Sequence, residues 1–197
     1  MYNFCNSSLD RRFTLILSKK VLKTVLNEQQ VDITIKRLAH QIIEQHHELD
    51  NTVIIGIQPR GSFLSDQIIE ALKQIVPEEK ISYGRLDITF YRDDFRDELH
   101  VPNHTDINFS IEGKHVILID DVLYTGRTIR AALDALLDFG RPSKVELCVL
   151  IDRRFSRELP IQPDYVGKSI DSIISQKVKV FWKSRDHRQE VVLLGQD

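Results

Sequence analysis

Residues 116–128 read Val-Ile-Leu-Ile-Asp-Asp-Val-Leu-Tyr-Thr-Gly-Arg-Thr, an apolar run followed by two carboxylates and a small, hydroxyl-rich turn. The run from Val116 to Ile119 predicts a strand that is buried on both faces. Asp120 and Asp121 would then stand at its carboxyl end, where α/β sheets bind their ligands. Two carboxylates suit hydroxyl groups such as a ribose diol, and their charge can also help to hold a magnesium-bound ligand.

A phosphate site is predicted directly after these carboxylates. The next residues lie over the first turn of a helix, whose unpaired N–H groups and positive dipole end attract a phosphate. These residues are Thr125, Gly126, Arg127 and Thr128. The sequence contains neither G-x-x-x-x-G-K-S/T nor G-x-G-x-x-G after a strand, so a P-loop and a dinucleotide site are not supported. For the acidic pair alone an alternative remains, because a strand ending in Asp-Asp before a threonine cap is also ordinary α/β structure.

Composition limits the class of protein. The chain has 197 residues, is 42% hydrophobic and carries a formal net charge of −2, which is typical of a globular, soluble protein with one core. We expect an N-terminal extension at 1–20 and a single domain at 21–197. Near-neutral charge excludes the uniformly basic character of many nucleic-acid binders but allows a local basic face. No apolar run approaches membrane-spanning length, so we expect a cytoplasmic protein without a membrane partner.

Apolar strands and amphipathic helices alternate along the chain, which predicts an α/β fold with a mainly parallel sheet. The predicted strands are Leu22–Leu26, Val53–Ile57, Ile81–Tyr91, His115–Ile119 and Val145–Ile151. The predicted helices are 27–48, Phe63–Ile75 and Arg127–Phe139. Asn27 with Gln30 resembles a capping box that opens the first of these helices. Lys177–Trp182 and Glu190–Leu194 predict a closing antiparallel hairpin.

Two arginines stand at positions that suit a charged ligand. Arg60 and Gly61 follow a predicted strand, where the guanidinium can bind two pyrophosphate oxygens and the glycine allows close backbone approach. Arg92 begins a polar loop of about twenty residues. This loop is longer than most connections in a compact domain, and its length is typical of a lid over an active site. The plainer alternatives are a simple turn at Arg60 and a solvated charge cluster at Arg92.

The string 116–128 resembles the signature with which type I phosphoribosyltransferases bind phosphoribosyl pyrophosphate (PRPP). The resemblance implies a mainly parallel central sheet flanked by helices, a small hood and a C-terminal antiparallel hairpin. It also implies that Tyr124 and the turn bind PRPP and that the loop after Arg92 closes over the pyrophosphate. Magnesium would be carried by PRPP, with no direct side-chain ligation. The implied catalytic residues are Asp120, Asp121, Arg60 and Arg92.

Three further strings narrow the resemblance to the PyrR family. They are Leu86–Asp94, Gly140–Pro142 and Arg157–Lys168. The resemblance implies transfer of the phosphoribosyl group to uracil, giving UMP and pyrophosphate, together with uridine-nucleotide-dependent regulation of pyrimidine genes through messenger RNA. The implied partners are PRPP, uracil, UMP or UTP and an mRNA leader. The implied assembly is a homo-oligomer, a dimer or larger.

The implied base site lies in the hood, residues 152–176. Its base-binding residues are Asp152, Tyr165, Val166 and Lys168. Two positions argue against a purine enzyme, because purine relatives carry an aspartate where Tyr124 stands and a lysine where Asp152 stands. A phosphoribosyltransferase for another base remains an alternative.

The RNA-binding half of the resemblance rests on Lys36, Arg37 and His40 of the first long helix, whose side chains can bind phosphates or bases. A solvated helix face is the alternative. Other basic positions of the family are replaced, at Asp32-Ile33, Gln45, Arg154-Phe-Ser156 and Asp171. Two hypotheses of different classes therefore stand: an enzyme, and an RNA-binding regulator that senses UMP or UTP with little catalysis.

Overall fold

Eight strands and four α-helices make up the structure, a computed structural model that describes residues 20–46, 48–92, 103–173 and 175–195. The strands are β1 (Val21–Leu26), β2 (Thr52–Ile57), β3 (Ser82–Leu86), β4 (His115–Leu123), β5 (Lys144–Arg153), β6 (Tyr165–Ile170), β7 (Lys177–Phe181) and β8 (Glu190–Leu194). The helices are α1 (Glu28–His46), α2 (Gly61–Ile75), α3 (Arg127–Leu136) and α4 (Lys183–Asp186).

The central sheet has five parallel strands in the order β3-β2-β4-β5-β6. Helices cover both faces, so the middle strands are buried on both sides, and all six residues of β2 are buried. Ile54 and Ile117 pack in the core under α1 and α2, whereas Ile55 and Leu118 pack in the core under α3. The predicted α/β fold is confirmed.

The first helix begins as the sequence predicts. The N–H of Gln30 donates to Oδ1 of Asn27 at 2.9 Å, and the N–H of Asn27 donates to Oε1 of Gln30 at 3.0 Å. This reciprocal pair is a capping box, and it satisfies two donors that a helix start leaves unpaired.

A second, antiparallel sheet joins both ends of the described chain, in the order β1-β8-β7. The β7–β8 hairpin was predicted and is confirmed, whereas the pairing of β1 with β8 was not predicted. Val180 and Val191 face the core under α1 and α2, and Trp182 is fully buried there. The antiparallel sheet therefore packs against the same core as the central sheet.

The predicted strand Ile81–Tyr91 is wrong in its second half. β3 ends at Leu86 and a 3-10 turn follows at Thr89–Tyr91. The cause is the Asp87 carboxylate, whose Oδ1 accepts the N–H of Thr89 at 3.0 Å and its hydroxyl at 2.6 Å. This local bonding turns the backbone away from the sheet.

Residues 1–19 of the predicted N-terminal extension lie outside the described residues. Within the described ranges, none of the helices combines the length and apolar character that a membrane span requires.

We expect Gly61→Ala to destabilise the protein. A Cβ at Gly61 would lie 2.3 Å from the carbonyl oxygen of Ile119 and 3.0 Å from Cα of Asp120, so the start of α2 or β4 would have to move. Overpacking of this kind costs about 3 kcal/mol of unfolding free energy. Denaturant titration would measure the loss.

Gly113→Ala is the matched control, because Gly113 has a φ of 68° and no atom within 4 Å of an added Cβ. Its loss should be only about 1 kcal/mol, from backbone conformation alone. Equal losses in the two variants would contradict the close approach of α2 to β4.

Candidate active site

The acidic pair lies inside β4 and is followed by two more residues of the strand, so the prediction that the strand stops at Ile119 was wrong. The strand continues because Val122 and Leu123 still pair with β5. On the other side, the last β4 residue paired with β2 is Ile119. Asp120 and Asp121 therefore stand beyond that pairing, at the carboxyl half of the strand, as a ligand site in an α/β sheet requires.

Both carboxyl groups are buried, with 7% of Asp120 and 5% of Asp121 exposed. Nε of Arg60 donates to Oδ2 of Asp121 at 2.8 Å, and the N–H of Asp121 donates to Oδ1 of Asp120 at 2.8 Å. Asp121 thus has a cationic partner, whereas Asp120 accepts a main-chain donor.

Burial and the neighbouring charge of Asp121 raise the pKa of Asp120 above its ordinary value, against the opposing effects of the Asp121 N–H, Arg60 and Arg92. Burial also raises the pKa of Asp121, and Arg60 opposes that rise. A ligand that donates hydrogen bonds or brings positive charge to this pair would favour its ionised form.

Arg60 connects the two sheets at this point. It directly precedes α2, and its Nη2 donates to the carbonyl oxygen of Val180 in β7. About one third of its side chain is exposed. The structure therefore brings Arg60 to the acidic pair, and its two protein partners are the Asp121 carboxylate and the Val180 carbonyl oxygen.

The predicted phosphate turn connects β4 to α3. Gly126 has a φ of 96°, a left-handed conformation that favours glycine. Thr125 Oγ1 lies 3.4 Å from the N–H of Arg127, the first residue of α3. Nη1 of Arg92 lies 3.5 Å from Oγ1 of Thr128. The charge of Arg92 also opposes the raised pKa of Asp120, so Arg92 lies close enough to act on both the turn and the acidic pair.

The stem of the loop after Arg92 is fixed by Asp87, which the sequence did not single out. Oδ1 of Asp87 binds Thr89 on one side of the loop, and Oδ2 accepts the N–H of Asn103 on the other side at 2.6 Å. Residues 93–102, the middle of the predicted lid, lie outside the described residues. Asp87 therefore holds the two described ends of this loop together beside the site.

A cleft of about 500 Å³ adjoins the turn and contains two of the four predicted base-binding residues, Asp152 and Val166. Asp152 is buried and accepts a hydrogen bond from Nη2 of Arg157. Arg157, Ile161 and Gln162 line other parts of this cleft. The cleft is therefore the place in the described structure where a planar base could lie next to the phosphate turn.

The other two predicted base-binding residues have polar partners elsewhere. The hydroxyl of Tyr165 donates to Oε2 of Glu146 at 2.8 Å, towards the amino end of β5 and away from Asp152. Nζ of Lys168 donates to the carbonyl oxygen of Val25 in β1 at 3.1 Å. Tyr165 and Lys168 do not line the cleft, because each is engaged in packing β6 against another part of the domain.

Comparison with known proteins identifies the family. The Phosphoribosyl transferase domain matches residues 21–185. A bifunctional protein PyrR from Actinobacillus pleuropneumoniae is 47% identical over 174 residues, covering 87% of this chain and 96% of the relative. One from Bacillus cereus is 44% identical over 171 residues, covering 85% and 94%. The chain belongs to the PyrR family of phosphoribosyltransferases.

Solved structures share the fold of this PyrR-family chain at low sequence identity. A hypoxanthine phosphoribosyltransferase from Staphylococcus aureus has a TM-score of 0.66 and 20% identity, covering 96% of this chain and 97% of its own. The hypoxanthine phosphoribosyltransferase of Trypanosoma cruzi has a TM-score of 0.67 and 19% identity, covering 90% and 98%. These likenesses confirm the type I phosphoribosyltransferase fold.

Two arginines at the site were not predicted. Arg157 joins Asp152 to the phosphate turn, since its Nη1 donates to the carbonyl oxygen of Tyr124. The guanidinium of Arg153 lies 4.0 Å from the centroid of the Tyr124 ring. The sequence signal for Arg157 was its place in one of the PyrR-like strings, but its partners, Tyr124 and Asp152, lie outside that string.

The three predicted RNA contacts do not form one uniform basic patch. Arg37 donates to the carbonyl oxygens of Gly167 at 2.6 Å and Val166 at 3.2 Å, and so caps the outer edge of β6. Lys36 lines a shallow groove between α1 and α2 that also contains acidic side chains. His40 is exposed. Basic side chains therefore face solvent on α1, but Arg37 is engaged in hydrogen bonds that hold α1 against β6.

Two of the family departures meet in space. Nη2 of Arg154 lies 2.8 Å from Oδ1 of Asp171, and both side chains are about half exposed. The aspartate offsets the arginine charge at the mouth of the cleft, which weakens this face for a polyanion.

Asp120→Asn should remove part of the pH dependence of stability. A carboxyl group with a raised pKa in the folded state stabilises the fold below its unfolded pKa of about 4 and loses that contribution as pH rises through the folded value. The wild-type unfolding free energy should therefore fall over this window. In Asp120→Asn the fall should be smaller, because the buried ionisation is absent.

Urea titrations at several pH values would measure this slope. Asp134→Asn is the control, because Asp134 is exposed on α3 and should keep the wild-type slope. An unchanged slope in Asp120→Asn would contradict the raised pKa.

Proposed function

We propose that this protein transfers the phosphoribosyl group of PRPP to uracil, giving UMP and pyrophosphate. The observation that supports it best is the position of the acidic pair next to the phosphate turn. Asp120 and Asp121 can accept hydrogen bonds from the ribose hydroxyls, and the start of α3 offers N–H groups to the terminal phosphate. Membership of a family whose members are named bifunctional PyrR proteins supports the same conclusion.

The turn residues proposed for the phosphate are Tyr124, Thr125, Gly126, Arg127 and Thr128. Gly61 also belongs to the proposed PRPP site, and its described contact is the close approach to the backbone of Ile119. Because Gly61 has no side chain, α2 can begin directly beside the acidic pair.

Arg60 and Arg92 are proposed to face the pyrophosphate. Arg60 keeps an exposed side beside the acidic pair, and Arg92 reaches Thr128 at the start of α3. In the parts of the chain that the structure describes, no group of three His, Cys, Asp or Glu side chains is placed to hold a metal ion. Magnesium is proposed to arrive with PRPP, where it would neutralise charge on the departing pyrophosphate.

The reaction needs positioning rather than a protein nucleophile. A ring nitrogen of uracil forms a bond to the anomeric carbon while the bond from that carbon to pyrophosphate breaks, and the leaving group takes the electron pair. The proton of that ring nitrogen is released to pyrophosphate or to solvent. Asp120 and Asp121 tolerate the positive charge that develops on the ribose. Arg60 and Arg92 support the negative charge on the leaving group.

Base recognition is proposed for the cleft at Asp152 and Val166. Purine relatives place a lysine at the position of Asp152. Here position 152 carries a carboxylate that is paired with Arg157, so it offers no cation to a base in the cleft. A pyrimidine is therefore favoured over a 6-oxopurine, and a phosphoribosyltransferase for another base is the alternative.

A second role, UMP- or UTP-dependent binding of a pyrimidine mRNA leader, is supported by the bifunctional family name and by the exposed Lys36 and His40. The ion pair between Arg154 and Asp171 lowers the RNA affinity that we expect of this role.

We also propose a cytoplasmic location and a homo-oligomer, dimer or larger. Exposed apolar side chains such as Phe90 and Leu137 provide surface for self-association.

Asp120→Asn should lower UMP formation about 100-fold or more, because an amide cannot stabilise positive charge on the ribose. PRPP consumption with uracil and with other bases would measure activity and base choice.

Chelation of magnesium should stop turnover in the wild type, while UMP binding, which needs no leaving group, should persist.

Asp134→Asn should keep wild-type activity, since Asp134 is exposed on α3. If the wild-type protein consumes PRPP only with a purine, the uracil assignment fails. If none of the tested bases supports PRPP consumption, the enzymatic role fails.

RNA binding can be tested in both directions. Lys36→Gln should weaken retention of a leader RNA and reduce its salt slope by about one, as expected for one lost phosphate contact. Asp171→Asn should strengthen retention, because it releases the charge of Arg154. Filter binding over a range of salt concentrations, with and without UMP, would measure both effects, and absent or salt-independent retention would remove the regulatory role.

A further inference from the structure

Residues 157–159 hold the phosphate turn from outside. The N–H groups of Glu158 and Leu159 donate to the carbonyl oxygen of Thr125 at 3.0 and 3.2 Å, and Nη1 of Arg157 donates to that of Tyr124. Nε of Arg127 donates to Oε2 of Glu158 at 2.7 Å. Carbonyl oxygens that are held on this outer side cannot turn towards an anion, and the orientation of the turn is fixed by a distant part of the chain.

The same short segment forms a wall of the cleft. Ile161 lines the cleft, and its Cδ1 would lie 3.2 Å from a Cβ at Gly126. Arg157 lines the cleft as well, with Nη2 on the carboxylate of Asp152. An occupant of the cleft would therefore contact residues of the segment that holds the turn.

A single guanidinium thus connects the two parts of the site. Arg157 is largely buried, with 17% of its side chain exposed, and its planar group spans the Tyr124 carbonyl and the Asp152 carboxylate. A lysine in its place has one compact charge and cannot reproduce both directed bonds. The ring of Tyr124 is held in turn by Arg153, which donates to Oγ of Ser172 at 2.8 Å.

We propose that Arg157 is a positioning residue that couples occupancy of the base cleft to the phosphate turn. The inference rests on the proposed function. A base in the cleft fixes Asp152 and the segment 157–161, Arg157 carries that order to the Tyr124 carbonyl, and the turn then binds a sugar phosphate more tightly. By reciprocity, a bound phosphate tightens binding of the base by the same factor.

The experiment measures the dissociation constant of ribose 5-phosphate with and without saturating uracil. In the wild type uracil should tighten ribose 5-phosphate about tenfold, which lies within the usual range of coupling between sites. In Arg157→Gln and in Arg157→Lys this factor should fall to about one. Calorimetry of the full chain gives both constants directly.

Arg85→Gln is the matched control, because Arg85 forms a half-exposed ion pair with Asp66 away from the cleft and should keep the wild-type factor. Asp152→Asn is the second variant, since it keeps Arg157 and its bond to the turn while weakening the link to the cleft, and its factor should also fall towards one. Thermal melts of each variant establish that it is folded.

An unchanged coupling factor in Arg157→Gln, or no coupling in the wild type, would overturn the inference. Weaker uracil binding, with unchanged binding of ribose 5-phosphate alone and an unchanged coupling factor at saturating uracil, would make Arg157 a base contact instead. Failure of the wild type to bind ribose 5-phosphate at all would count against the proposed function itself.

Discussion

The burial of two adjacent carboxyl groups within a parallel sheet is the constraint on which the rest of the structure depends. Burying charge is costly unless a partner compensates for it. Here Asp121 receives Arg60, and Asp120 receives a main-chain N–H. Arg60 can reach only because α2 begins at Gly61, where the absence of a side chain lets the helix touch the backbone of β4. One glycine thus makes the charge pairing possible.

The other partners of the site come from distant parts of the chain. Val180 of β7 anchors Arg60, Asp87 holds the stem of a loop, and Arg157 reaches the turn after β4. A site assembled from so many elements can be held to a fixed geometry only by a well-packed domain. The energetic strain of the acidic pair is offset by hydrophobic packing elsewhere, as is general for functional sites.

The sequence predicted those features whose signal is local. The alternation of apolar runs predicted β2 and β5, and the hairpin strand Glu190–Leu194 was predicted with its observed bounds. The acidic pair and the phosphate turn were predicted because they are contiguous. Pairing of β1 with β8 could not be predicted, since it joins opposite ends of the chain and leaves no short-range pattern.

Residues whose contacts depend on side-chain direction were the ones whose partners sequence reasoning did not find. Arg157 has a motif but no local sign of its two partners. Tyr165 and Lys168 belong to the matching string, yet their polar ends reach Glu146 and β1. A string of residue types specifies a strand and not the direction of each long side chain.

The antiparallel sheet brings the first and last described residues together, since the N–H of Gly195 donates to the carbonyl oxygen of Lys20 at 3.1 Å. A segment whose first and last residues meet in this way, as residues 20 and 195 do, can be closed into a ring by a short linker without stretching any element. Fusion partners attached near residue 20 and near residue 195 would leave from a single edge of the domain. Through Val180 and Arg60, that edge is mechanically connected to the buried carboxylates.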